Sequence, residues 1–282
     1  FRGYDLGKFE FRAAPAGADW RIDRLFIQGD GSSLDTSGRW TRAGGQSRST
    51  FKLKVESKNL NGLFRTFGHA DTLRRGTGQL EGTLGWPGYP YEFALNNLVG
   101  EFRLQAKSGQ FAKIEPGAGR LLGLLSLQSI PRRITLDFRD IFSEGFAFDR
   151  INGAVKIDKG VMRTEDFEIA GPSAFVNMQG EVSLPSETQN LRVTVIPALG
   201  DSVSLITALI GGPVVGLTTL LVQKLLQDPL GKATTYQYSV VGTWDNPDVI
   251  PVARSELPAR DVNAGDVAKD AVKAVPSTTT QN

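Results

Sequence analysis

Apolar and polar residues alternate along most of the chain, which is the pattern of β-strands that bury one face of a sheet. Turn-forming glycine and proline residues separate the alternating runs, as at Pro15-Ala16-Gly17, Gly44-Gly45 and Trp86-Pro87-Gly88. Short runs joined by such turns predict an antiparallel meander. The apolar positions of the predicted strands are Phe9, Phe11, Trp20, Ile22, Leu25, Ile27, Phe51, Leu53, Val55, Leu80, Leu84, Trp86, Tyr91, Phe93, Leu95, Phe102, Leu104, Ile134, Leu136, Phe138, Phe146, Phe148, Val155, Ile157, Phe167, Ile169, Val176, Met178, Val182, Leu184, Leu191, Val193, Val195, Tyr236, Tyr238 and Val240.

Four segments interrupt the alternation and predict helices, at residues 60–68, 117–130, 201–210 and 214–227. We expect the first to pack Leu63, Phe64 and Phe67 onto a sheet. From Ser202 to Gln223 there is no charge, and about 20 apolar residues suffice to cross a bilayer. Because Gly211-Gly212-Pro213 would break one straight helix, we expect a helical hairpin instead. This hairpin either closes the open end of the β-structure or contacts a bilayer or a lipid.

The composition excludes several classes of protein. The 282 residues include 32 basic and 30 acidic side chains, interspersed along the chain, so we expect no nucleic-acid partner. The chain has no cysteine, which excludes disulfides and thiolate metal sites. Residues 251–282 are rich in Pro, Ala, Asp, Thr and Lys, and they predict a disordered tail. Since the chain starts at Phe1 without a signal peptide, we expect it to be a C-terminal piece of a longer protein.

Groups that could perform catalysis are scarce. His69 is the one histidine, which leaves little from which to build a triad or a histidine metal site. Gly200-Asp201-Ser202 is similar to the start of a GDSL-type esterase motif, but no histidine follows it. We therefore expect no enzyme activity, metal or cofactor. Carboxylates lie scattered at predicted strand ends and turns, where solvated charges discourage aggregation between sheets: Asp137, Asp140, Glu144, Asp149, Glu165, Asp166 and Glu168.

A short pattern occurs twice in the chain. Ile27-x-Gly29 followed by Gly38 has the same spacing as Ile169-x-Gly171 followed by Gly180. This repetition predicts a repeated β-unit, and such units stack because none buries its apolar face alone. The matching apolar positions upstream are Trp20 with Met162 and Leu25 with Phe167.

The apolar strand positions support two interpretations. They fill a closed core, as in a β-sandwich or barrel, or they line an open trough whose inner face receives an apolar ligand. Periodicity does not separate the two. For the trough, the groove candidates are Phe51, Leu53, Leu80, Leu84, Trp86, Phe93, Phe102, Leu104, Leu136, Phe138, Val193 and Val195.

Several motifs resemble the C-terminal region of AsmA-like proteins of Gram-negative bacteria, most closely the YhdP branch. The strongest is LLGLLSLQSIPRR (residues 121–133), followed by IAGPSAFVNMQGEV (169–182) and the closing YSVVGTWDNPDV (238–249). The stretch from Gly78 to Gly88 also fits, and the resemblance covers about residues 60–250.

The resemblance implies a mainly β fold with a few helices. The expected fold is a bent antiparallel sheet that forms an elongated apolar groove at residues 1–250, with helices capping the C-terminal end. Relatives are anchored in the inner membrane by an N-terminal helix, absent here, and carry phospholipid across the periplasm. This chain would then be the end that meets the outer membrane or an envelope protein, as a monomer.

Two further sets of residues follow from this interpretation. Three arginines that flank the helix at 117–130 either meet phosphate head groups or are ordinary surface charges: Arg120, Arg132 and Arg133. Apolar residues of the predicted helices would contact a membrane or partner: Leu121, Leu124, Leu125, Ile206, Leu209, Leu217, Leu221 and Leu225.

Overall fold

The computed structural model of the protein describes residues 6–29, 31–69, 72–112, 145–198 and 235–252. Within them, twelve antiparallel strands form one sheet in chain order, as the alternation predicts. The strands are β1 (Lys8–Ala16), β2 (Asp19–Gln28), β3 (Ser32–Ala43), β4 (Gln46–Ser57), β5 (Leu73–Pro87), β6 (Val99–Phe111), β7 (Ala147–Asp158), β8 (Val161–Ala170), β9 (Ala174–Ser183), β10 (Thr188–Pro197), β11 (Tyr236–Thr243) and β12 (Pro247–Pro251).

The sheet is not closed into a barrel by the strands described. Each strand pairs with its neighbours in sequence, so β1 pairs with β2 and β12 pairs with β11. The strands thus form a continuous meander with β1 and β12 at its two edges.

The two faces of the sheet have opposite character, because directly paired residues point to the same side. One side carries the row Ile27, Leu34, Val55, Leu80 and Leu104, paired in that order. We call it the apolar face. The other side, the polar face, carries the row Asp35, Lys54, Glu81 and Arg103.

The two ends of the strands also differ. In an antiparallel meander, alternate connections fall at the same end. The connections β2–β3, β4–β5, β6–β7, β8–β9 and β10–β11 lie at one end, which we call the helix rim. Its three longest connections, residues 58–72, 112–146 and 198–235, contain all the segments predicted as helices. The opposite end, the turn rim, has short turns and one longer loop at residues 88–98.

The helix α1 (Leu60–Thr66) packs on the apolar face at the helix rim and lies within the predicted helix 60–68. Its first turn is capped by Asn59, whose Oδ1 accepts a hydrogen bond from Gly62 N at 3.0 Å. Leu60 is buried over Gly78, where a Cβ would lie 2.9 Å from Leu60 Cδ2. The predicted packing of Phe67 is wrong, since this side chain is 63% exposed.

The loop of residues 88–98 was expected to include a strand at Tyr91, Phe93 and Leu95, and this prediction is wrong. β5 pairs directly with β6, leaving no place between them for another strand. Gly88 turns the chain with a φ of 103°, and the loop ends in a short 3-10 helix, Leu95–Asn97.

The sequence repeat is a repeat of strand pairing. Residues of β1–β2–β3 and β7–β8–β9 that are 142 positions apart pair identically: Phe9, Ile27 and Leu34 in one set match Ile151, Ile169 and Val176 in the other. The register irregularity between Ile22 and Leu25 recurs between Thr164 and Phe167. The turns match too, with Gly29 N to Ser32 O at 2.9 Å and Gly171 N to Ala174 O at 3.0 Å. The repeated unit therefore includes three strands and their irregularity.

Several predictions fall outside the described residues, namely the helices at 117–130, 201–210 and 214–227 and the strand at 134–138. β12 reaches Pro251, so the tail predicted at 251–282 stays a prediction from residue 253 onward. None of the helices in the described ranges is long and apolar enough to cross a membrane.

Candidate functional site

The apolar face is continuous from strand to strand. Two further rows run beside the one already traced, and together the three rows contain six of the predicted groove residues. The second row is Phe11, Leu25, Thr36, Leu53, Gly82, Phe102 and Val155. The third row is Gly38, Phe51, Leu84, Gly100, Ile157, Met162 and Val182.

Exposure of this face decreases from β1 to β10. Phe9 and Phe11 are 66% and 52% exposed, whereas Val193 and Val195 are 3% and 0% exposed. The predicted groove residues of β4, β5 and β6 are half-buried between these extremes, with the exception of buried Trp86. The two interpretations left open by the sequence thus apply to different parts of one sheet: a closed core over β9 and β10, and an accessible apolar surface towards β1.

Phenylalanine rings lie flat over glycines of neighbouring strands on the apolar face. A Cβ on Gly38 would lie 2.5 Å from Phe51 Cδ1, and a Cβ on Gly82 would lie 2.6 Å from Phe102 Cδ1. Two more rings cover glycines in the same way, Phe148 over Gly109 and Phe167 over Gly153. A ring lying over a glycine shields its backbone and leaves little height above the sheet. Gly38 belongs to the sequence repeat and Gly82 to the stretch from Gly78 to Gly88, but neither pattern predicted that a ring covers these glycines.

Aromatic residues gather where the apolar face meets the turn rim. Trp86 lies 5.2 Å from Phe51 and 5.4 Å from Phe93, centroid to centroid, and its Nε1 donates to Tyr89 O at 2.9 Å. Tyr89 in turn lies 4.8 Å from Trp40. Phe93 therefore reaches the predicted face from the loop, not from a strand, and it is 49% exposed.

A trough of about 720 Å³ lies on the polar face across β3 to β7. Lys54 there lies 2.8 Å from Glu56 and 3.4 Å from Glu81, and these hydrogen bonds raise the pKa of Lys54. Charged walls of this kind disfavour an acyl chain, because placing charged groups against hydrocarbon removes their hydration at a cost in free energy. The side chains on its walls include Asp35, Lys52, Lys54, Glu81, Glu101, Arg103 and Lys156.

Tyr238 provides a pH-dependent probe of the closed part of the apolar face. It is 2% exposed, and burial, aided by the neighbouring Tyr236, raises its pKa from about 10 to about 12. The unfolded chain ionises first, so this contribution to stability is complete below about pH 10 and is lost as pH rises towards 12. We expect the free energy of unfolding, measured with urea, to fall over this range, and to fall less in Tyr238→Phe. An identical pH dependence in that variant would contradict this assignment.

The residues considered for catalysis are dispersed in the described ranges. No group of three or more His, Cys, Asp or Glu side chains there could hold a metal ion. His69 lies beyond α1, where its backbone N donates to Phe64 O. Asp166 Oδ1 accepts from Ala154 N at 3.2 Å across the register irregularity of β7 and β8, which is a structural role.

The remaining candidates lie outside the described residues. Their segments leave the sheet at the helix rim, after Ala112 and after Ala198. These candidates are Leu136 and Phe138 of the groove set, the apolar contacts Leu121, Leu124, Leu125, Ile206, Leu209, Leu217, Leu221 and Leu225, and the arginines Arg120, Arg132 and Arg133.

Comparisons with known proteins give a consistent result. A family model described as "YhdP protein" matches residues 1–249. The "Intermembrane phospholipid transporter YhdP" of Escherichia coli (strain K12) is 29% identical over 258 residues, which cover 90% of this chain and 20% of that relative. The chain thus spans about a fifth of the length of this relative. No solved structure matches the chain significantly.

Proposed function

Because the chain belongs to the YhdP family, we propose that it is the C-terminal module of a bridge that carries phospholipid between the inner and outer membranes. In this function the apolar face is the inner surface of a groove and shields the acyl chains. The proposal includes a periplasmic location and an inner-membrane anchor in the part of the protein preceding this chain. Its role is carriage and not catalysis.

The continuity of the apolar rows is the observation that supports this proposal most. The row from Phe9 on β1 to Leu104 on β6 crosses six strands, each about 4.8 Å from the next, and is about 24 Å long. Half of a bilayer core, the depth of one acyl chain, is about 15 Å. A chain lying along the row therefore has room to move from strand to strand without leaving apolar contact.

The energetics of such a face favour carriage without a specific pocket. Each methylene removed from water contributes about 0.8 kcal/mol, so two acyl chains gain ample free energy from a surface that is merely apolar and continuous. The half-buried side chains of β4, β5 and β6 on the apolar face, Leu53, Leu80 and Leu104 among them, offer such a surface. A lipid that moves along this surface exchanges one set of apolar contacts for an equivalent set.

We also propose that the helix rim meets the inner leaflet of the outer membrane or an envelope protein. The segments predicted as helices at 117–130 and 201–227 both leave the sheet at this rim. Their long uncharged runs are the part of the sequence best suited to an apolar environment.

A second candidate function is an assembly module that docks a membrane or membrane protein through the 201–227 hairpin and carries no lipid. The closed core around Val193, Val195 and Tyr238 favours it, because the apolar face there is already covered. This core lies beside the point where the hairpin segment begins.

Native mass spectrometry combined with lipid extraction separates the two functions. The chain is purified from bacterial membranes and stripped of detergent. We expect phospholipid in stoichiometric amount. A stable, lipid-free protein would reject carriage and favour docking. Replacing Leu217, Leu221 and Leu225 with Asp is expected to abolish docking and to leave lipid retention intact.

A further inference from the structure

Three exposed arginines lie together at the helix rim: Arg65 on α1, and Arg74 and Arg75 at the start of β5. A hydrogen bond of 2.6 Å from Asn61 Nδ2 to Leu73 O holds α1 against the start of β5. Arg65 Nη2 donates to Asn61 Oδ1 at 3.0 Å, so its guanidinium lies near the same strand end. We call these three arginines and Phe67 the basic rim patch.

The charges of this patch are not neutralised within the described ranges. No carboxylate there lies within 4.0 Å of Arg65, Arg74 or Arg75, whereas exposed arginines elsewhere do form ion pairs, such as Arg163 with Glu181 at 2.6 Å. Such a concentration of positive charge is stabilised by an anionic ligand.

Phe67 gives the patch an apolar element. It follows α1 directly and is 63% exposed, while Leu60, Leu63 and Phe64 of the helix pack on the sheet. An exposed aromatic ring among cations is typical of a surface that lies at a lipid–water interface, where the ring enters the head-group layer.

The patch also adjoins an apolar segment of the chain. Ala112 N donates to Thr72 O at 3.0 Å, so the segment that begins at residue 113 leaves the sheet beside the start of β5. This segment includes the uncharged run from Leu121 to Ile130 and three further arginines at its sides. The part of the sequence that carries this uncharged run thus begins at the strand end where the patch lies.

We infer that the basic rim patch binds the anionic head groups of a phospholipid membrane surface. The inference deepens the proposed membrane contact of the helix rim and rests on it. A nucleic acid is a poor fit, because the chain has nearly equal numbers of basic and acidic residues. An acidic protein would satisfy the charges but gives no role to the exposed ring of Phe67.

Vesicle flotation tests the inference with the full 282-residue chain. We expect binding to vesicles of equal parts phosphatidylglycerol and phosphatidylcholine, weaker binding to pure phosphatidylcholine, and release by added salt. The triple variant Arg65→Gln, Arg74→Gln, Arg75→Gln is expected to bind the anionic vesicles about 100-fold more weakly, since each cation near an anionic surface contributes about fivefold. Phe67→Ser is expected to weaken binding about tenfold.

The matched control is Arg39→Gln, Arg48→Gln, Arg192→Gln, which removes the same charge from exposed arginines outside the patch. Equal loss in the control and the patch variant would overturn the inference, as would binding that does not depend on phosphatidylglycerol. Failure to bind any vesicle would also overturn it. Phospholipid extracted from the patch variant should equal that of the unmodified chain, so a failed surface contact is distinguishable from failed carriage.

Discussion

Replacing Leu80 and Leu104 together with Asp is expected to reduce the phospholipid retained by the chain to background. The two leucines pair directly at the β5–β6 end of the first apolar row, and both are half-buried. Two carboxylates there would meet the hydrocarbon of a bound acyl chain, and burying an unpaired charge costs several kcal/mol each. Lipid phosphorus per mole of purified protein measures the effect.

The control for this prediction is the double variant Gln79→Asp, Gln105→Asp. Gln79 and Gln105 are also direct partners on β5 and β6, one residue away from the leucines and on the polar face. The control therefore makes the same charge change in the same strands. Circular dichroism should give sheet content close to that of the unmodified chain in both variants. Full retention of phospholipid by the folded leucine variant would refute the assignment of the apolar face.

Phe148→Ala is expected to lower the free energy of unfolding by about 3–5 kcal/mol, the usual range for a buried phenylalanine. Phe148 is 2% exposed, lies 5.2 Å from Phe111 and covers Gly109 on the paired strand. Alanine removes the ring, and glycine beneath it has no side chain to fill the cavity. Urea denaturation followed by tryptophan fluorescence measures the loss.

Phe11→Ala provides the comparison for Phe148→Ala. Phe11 lies in an apolar row too, but it is 52% exposed, so its removal should change the free energy of unfolding by about 0.5 kcal/mol or less. Similar losses at both positions would mean that the gradient of burial from β1 to β10 does not determine stability.

The meander was predictable because its physical cause is local. Alternation places Phe51, Leu53 and Val55 on one face of β4 whatever that face meets, and turn signals such as Gly44-Gly45 mark the ends. The repeated pattern around Gly29 and Gly171 was also visible, since equal spacing along the sequence gives the two units the same strand pairing.

Strand β3 escaped prediction because the middle of its apolar face is small or polar. Thr36 and Gly38 separate Leu34 from Trp40 there, so no hydrophobic period is visible. Gly38 is needed there because the ring of Phe51 from β4 lies over it. The signal for this strand thus lies in its partner. β12 was missed for a related reason: it is a five-residue edge strand bounded by Pro247 and Pro251.

The loop at residues 88–98 shows the opposite case, a strand-like pattern without a strand. Tyr91, Phe93 and Leu95 alternate like strand residues, but the bonds that form are local, with Tyr89 N donating to Glu92 Oε2 at 2.8 Å. The alternation of apolar and polar residues also gave no indication of the basic rim patch. Its arginines come from α1 and β5, and only the packing of the helix on the sheet brings them together.

The strictly sequential strand order has a consequence for how the chain folds. Because every strand pairs with those before and after it, each new strand joins its neighbour in the sequence, and apart from the two long connections 112–146 and 198–235 the loops that close are short. Low contact order of this kind permits fast folding even in an all-antiparallel sheet. The sheet can therefore assemble one strand at a time, in the order in which the strands occur along the chain.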